Sequence, residues 1–141
     1  MKNISSENVK KKNGFWRFYK DLNKTEIVKS VYERFKETGR FDALKCNWRE
    51  GMPNKPHIFW DSDVVKWIEG VAYVLQESPA PEWEAVVDEM INDIAENQRA
   101  DGYFNSYFLT VEPSRIFTNR ECHELYCLGH MIEAAIAYHK A

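Results

Sequence analysis

Two stretches of this chain read as helices with almost no polar face, and that restricts its fold more than any other feature. In 61–77, Val64, Val65, Trp67, Ile68, Val71, Ala72, Val74 and Leu75 leave little for solvent. In 122–141, Leu125, Leu128, Met131, Ile132, Ala134, Ala135, Ile136 and Tyr138 do the same. A helix that is apolar all round has to be covered on all sides. The other two helical stretches each have one wet face. In 24–37, Val28, Val31, Tyr32 and Phe35 follow the i, i+3, i+4, i+7 spacing of a single buried stripe. In 82–99, Trp83, Val86, Val87, Met90, Ile91, Ile94 and Ala95 form a stripe opposite Glu84, Asp88, Glu89, Asn92, Asp93 and Glu96. The order along the chain is wet, buried, wet, buried.

That alternation fits an all-α architecture of two helical hairpins in which the buried helices form an inner ring and the wet ones an outer ring. The inner helices then run parallel and side by side. Stacked hairpins of this kind need several repeats to cover their apolar faces, and two cannot close a ring. The last helical pattern runs to Ala141 with no Gly or Pro to end it. The expectation is therefore a polar tail over 1–13, flexible and lysine-rich, followed by an incomplete N-terminal part of a helical toroid over 14–141. Local signals place the boundaries. Gly39 stands where the first helix should end. Asp61-Ser62-Asp63 offers capping side chains at the start of the second. Pro81 suits the first turn of the third. Asp101-Gly102 is a turn signal. Gly51, Pro53 and Pro56 interrupt a long connection over 40–60. The aromatic run 14–19 reads as a short strand or extended lead-in, and 103–109 as a short strand or aromatic loop.

Charge and cysteine usage exclude several classes. The net charge is −3 and no basic stripe runs along the chain, so nucleic acid is not an expected partner. No apolar run approaches the roughly 20 residues of a membrane span, and the first residues lack an apolar signal segment. These absences point away from membranes and to a cytoplasmic protein. The three cysteines, Cys46, Cys122 and Cys127, are odd in number and lack zinc-ribbon or CxxC spacing, so they read as reduced buried thiols. Aromatic residues make up 14% of the chain; they read first as packing volume in a large core, and the functional alternative is that some line a carbohydrate cleft, since flat rings cover the apolar faces of sugars.

If the inner helices are parallel, their N-terminal ends share one rim. Asp61 and Asp63 start one helix, His123 starts the other, and Asn105 lies in the aromatic segment just before it. Carboxylates, an amide and an imidazole beside aromatic rings are what a sugar-binding site requires. Asp61 and Asp63 read first as helix caps and only second as site residues. His130, two turns beyond His123, reads as a core histidine, and Glu133 as a buried acid paired with a basic side chain.

Three blocks carry a resemblance: DSDVVKWIE at 61–69, QRADGYFNSYF at 98–108 and HELYCLGHMIEAA at 123–135. In order and spacing they are similar to the β-L-arabinofuranosidase family of glycoside hydrolases, and the likeness extends over nearly all of the chain from Gly14. The resemblance implies an (α/α)6 barrel followed by β-sandwich domains, and retaining hydrolysis of terminal β-L-arabinofuranosides. It also implies a cysteine thiolate nucleophile held on zinc by further cysteines and a glutamate, with a separate glutamate as general acid/base. None of those groups maps onto this sequence. No catalytic residue and no metal ligand is therefore assigned among these 141 positions, and zinc is expected only in the full-length parent. What carries over is part of the sugar-binding rim, chiefly His123, with Asp61, Asp63 and Asn105 placed there by position. The implied partners are an arabinofuranoside-like glycoside and the rest of the parent chain, and the 141-residue chain alone is expected to be inactive. The alternative is a stand-alone helical module that binds carbohydrate or protein without catalysis.

Overall fold

The first helix begins well before its apolar stripe. In the computed structural model, which describes residues 14–141, α1 (Phe15–Leu22) runs through a single π turn (Asn23–Ile27) into α2 (Val28–Glu37) with right-handed dihedrals throughout. The aromatic run expected to be extended is thus helical, and no strand occurs among the described residues. Its rings stack along the helix, Phe15 on Tyr19 with centroids 4.5 Å apart, as residues four apart do. They remain largely exposed, so no buried stripe marked the segment as helical. Lys20 pairs with Glu77, and Lys24 Nζ donates to Ser78 Oγ at 2.5 Å, which seats this helix along the end of the next hairpin. The tail expected to be flexible, 1–13, lies outside the described residues.

Val28 is buried, and Val31, Tyr32 and Phe35 pack on the core as their spacing predicts. Gly39 ends the helix at φ +75°, where a side chain is strained. A Cβ there would also meet the Asn54 side chain at 2.6 Å, so glycine is required by both conformation and space. After the short α3 (Arg40–Ala43), the connection folds back over the core, with Leu44 and Trp48 buried beneath it.

α4 (Trp60–Leu75) starts one residue earlier than its capping signal predicts. Asp61 and Ser62 lie inside the first turn, and no side chain caps it. The helix is covered on several sides. Trp67 Nε1 donates to the Val28 carbonyl at 2.9 Å, and Arg40 pairs with Asp63, so α2 and α4 run antiparallel. Tyr32, Phe41, Trp67 and Trp83 form one ring cluster with centroid separations between 5.3 and 5.8 Å. α5 (Pro81–Asn97) has Pro81 in its first turn and buries Val87 and Met90. Its stripe is narrower than its sequence implies, because Ile91 and Ala95 face solvent.

The segment 103–109, expected to be a strand or loop, instead leads into and forms most of α6 (Ser106–Thr110), capped by Asn105. Two 3-10 turns, Pro113–Arg115 and Arg120–Cys122, lead into α7 (Glu124–His139). The register of contacts shows α7 parallel to α4. Cys127 lies on the Ile58 carbonyl, Lys66 reaches Tyr126, and Gln76 Nε2 donates to the Ala137 carbonyl at 3.0 Å. The two helices read as inner are therefore neighbours that run the same way. Only Glu124, Cys127, Ala134 and Ala137 of α7 are buried. Leu125 (70% exposed), Leu128, Ile132 and Ile136 stand open, so this helix is covered on one side only. No helix among the described residues is long and apolar enough to cross a membrane.

Candidate functional site

Parallel packing brings the starts of α4 and α7 to one end of the molecule, and the 103–110 segment is tied between them. One tie is Asp61, 2% exposed, whose two oxygens accept from the Ser106 N–H at 2.7 Å and the Ser106 O–H at 2.5 Å. Burial pushes its carboxyl up to about 6, against the opposing effect of the two Ser106 hydrogen bonds. The other tie is Glu124, also buried. It accepts from the Tyr103 O–H at 2.5 Å and the Phe117 N–H at 2.9 Å. Burial first, and then the bond to Glu124, raise the Tyr103 phenol far above its ordinary range, so it stays a donor.

His123 stands at the junction of the last 3-10 turn and α7, at φ +59°. This left-handed conformation is uncommon for a residue with a side chain. The Nδ1 lies 2.5 Å from the Glu121 carbonyl. A carbonyl only accepts, so in the neutral ring Nδ1 carries the proton and Nε2 offers a lone pair. The imidazole meets Phe59 edge-on at 4.7 Å, and Tyr126 at 5.8 Å. A cleft of about 250 Å³ opens beside it, lined also by Phe117, Asn119, Arg120 and Glu124.

The structure treats the four sequence-derived rim residues differently. His123 borders the cleft. Asp61 is committed to Ser106. Asn105 is buried, with Oδ1 accepting from the Phe108 N–H at 3.1 Å to cap α6, and its Nδ2 has no hydrogen-bond partner. Asp63 lies toward α3, where its Oδ2 is 3.3 Å from Arg40 Nε; that guanidinium also sits over the Phe35 and Trp60 rings. Sequence reasoning missed Phe59, Tyr103, Glu124 and Tyr126. Glu124 and Tyr126 stood within the His123 block, but nothing local distinguished them from helix-start residues. Two further readings need correction. Glu133 is 62% exposed on its side chain, not buried, and its neighbour is His130 rather than a lysine or arginine. His130 is not a satisfied core residue, because its Nδ1 makes no hydrogen bond.

The three cysteines do not gather into the cysteine-and-glutamate zinc centre that the resemblance implies. All three are free, but Cys46 is pushed up to about 12 and Cys127 to about 11, in both mainly by burial. The group of potential ligands found within reach of one another among the described residues, Glu69, His130 and Glu133, contains no cysteine. None of the chemistry of this cleft is therefore attributed to such a metal.

Three comparisons bear on this geometry. The family model described as β-L-arabinofuranosidase, GH127 catalytic domain, matches residues 8–141. A non-reducing end β-L-arabinofuranosidase from Bifidobacterium longum subsp. longum is 40% identical over 88 residues, which are 59% of this chain and 13% of that protein. A solved GH127 β-arabinofuranosidase superposes with a TM-score of 0.80 at 26% identity, over 94% of this chain and 23% of that one. The chain thus spans a small share of the relatives it matches. The family model spans almost all of the chain and the fold of the solved relative agrees over a similar length, and the chain belongs to the GH127 β-L-arabinofuranosidase family of glycoside hydrolases.

Proposed function

We propose that the cleft beside His123 is part of the glycoside-binding rim of a hydrolase acting on terminal β-L-arabinofuranosides. The observation that carries this reading is the His123 ring. Its Nδ1 is fixed by a backbone carbonyl, and its Nε2 is left as an acceptor beside an open cleft. An acceptor of known direction suits a sugar hydroxyl, and the half-open rings of Tyr126 and Phe117 offer flat surface to a sugar's apolar face. Asp61 and Asn105 act in this reading as positioning residues, since their oxygens hold the 105–108 backbone rather than reach a ligand. Asp63 shares that role through Arg40. None of these residues is assigned a bond-breaking step. The nucleophile, its metal and the acid/base belong to other parts of a complete enzyme. Membership of the family takes away the support for an unrelated interaction module.

The test is His123→Ala in a complete GH127 enzyme carrying this segment. Loss of one hydrogen bond to substrate should lower kcat/KM by roughly tenfold or more, about 1–3 kcal/mol, while the melting temperature stays near that of the parent. Unchanged kinetics with a sharply lower melting temperature would make His123 a structural residue and end the assignment.

A further inference from the structure

Two turns along α7 from His123, a second group of polar side chains bridges the two parallel helices. His130 and Glu133, three apart, share one face of α7. Glu69 of α4 faces them because the helices run in register. The ligand atoms of the three lie within 4.8 Å of one another. His130 Nδ1 is sealed from solvent and makes no hydrogen bond, although Glu133 Oε2 is 3.1 Å away. That separation is at ion-pair distance without hydrogen-bond alignment. It is close to the ~3.3 Å between two ligands on one tetrahedral zinc, given bonds of about 2.0–2.2 Å.

Neighbouring side chains hold the group in place. Tyr73 donates to Glu69 Oε1 at 2.8 Å. Lys66, one turn back on α4, is engaged by Tyr126, donating to its hydroxyl at 2.6 Å and lying 4.6 Å from its ring centroid. The Tyr126 ring in turn packs edge-on against His130 at 4.6 Å and holds the imidazole in place.

We propose that Glu69, His130 and Glu133 form a divalent-cation site of zinc-like preference that clips α4 to α7. One imidazole and two carboxylates are ligands suited to zinc, and three protein ligands leave a position for water. This site is distinct from the cysteine-bound zinc implied by the family resemblance, and it does not depend on the sugar-binding reading of the rim.

The test uses the 141-residue chain. Zinc titrated by calorimetry in chelator-free buffer should bind saturably at one equivalent. Glu133→Gln and Glu69→Gln should each weaken binding at least tenfold, with circular dichroism confirming that both variants keep their helices. Cobalt(II) in place of zinc should give ligand-field bands without a thiolate charge-transfer band, and should broaden the His130 ring resonances in the parent chain. That last readout needs no variant to fold. Absence of saturable binding would overturn the proposal. So would affinity unchanged in both Gln variants, a thiolate band, or broadening at His57 or His139 in place of His130.

Discussion

α4 and α7 carry nearly the same hydropathy pattern and lie side by side, yet the fold covers them very differently. α4 is enclosed by α2, the 44–59 connection, α5 and α7, and its aliphatic residues are almost wholly buried. α7 meets α4 along one side and leaves Leu125, Leu128, Ile132 and Ile136 open. The contrast separates two quantities that are easily confused. An all-round apolar helix records how much cover its sequence calls for, and the burial in this chain records how much of that cover these residues supply.

The sharpest way to break the comparison is to make the same substitution on both helices. Ile68 is 3% exposed and Ile132 is 52% exposed. Ile68→Ala should lower the unfolding free energy by roughly 2–5 kcal/mol, read from denaturant midpoints, because it opens a cavity in a packed layer. A loss below about 1 kcal/mol would mean that α4 is not the packed centre.

A smaller effect should appear at the start of α4 as a pH dependence. Asp61 is raised from 3.8 to about 6 in the folded chain, so the unfolded chain gives up this proton first. Below about pH 4 both forms carry it, and the group costs nothing. As pH rises from about 4 to about 6, the unfolded form ionises while the folded form resists, and stability falls. Above about 6 both are ionised and the loss is complete, on the order of 3 kcal/mol. Asp61→Asn removes this titration. The stability difference between parent and variant should therefore slope through that window and be flat on either side. A difference that does not change with pH would show that Asp61 is not buried as described.

The smallest effect is expected at the open face. Ile132→Ala should change stability by no more than about 0.5 kcal/mol. A loss above about 1 kcal/mol that grows with protein concentration would show that second copies cover α7 in solution.

Much of this was legible in the sequence, and what was not has identifiable causes. The four main helices follow from apolar spacing. Gly39 marked the end of α2, because a left-handed residue there leaves glycine as the simplest choice. α1 was illegible because Phe15, Trp16, Phe18 and Tyr19 are exposed, and periodicity reports only faces that are buried. α6 was hidden because it is a single turn held by a contact between Ser106 and Asp61, 45 residues apart. His123 was placed correctly at a helix start, but its left-handed backbone, which sets the ring direction, has no local signature. Asp61 and Asn105 were identified as polar residues of the rim. Only the fold shows that their hydrogen bonds are spent on backbone and on Ser106.

The parallel arrangement of α4 and α7 has one more consequence, in the electric field. Each helix carries a dipole whose positive end is its N-terminus, equivalent to roughly half an elementary charge. Antiparallel neighbours cancel such dipoles. Parallel ones add, and place two partial positive charges at the same edge. Both helices have acidic residues in the first turn, Asp61 and Asp63 in α4 and Glu124 in α7. Asp61 and Glu124 are held against the intervening segment by hydrogen bonds. Each is a fixed counter-charge at a pole. Removing either one would leave that edge more positive, as well as untying the segment it holds.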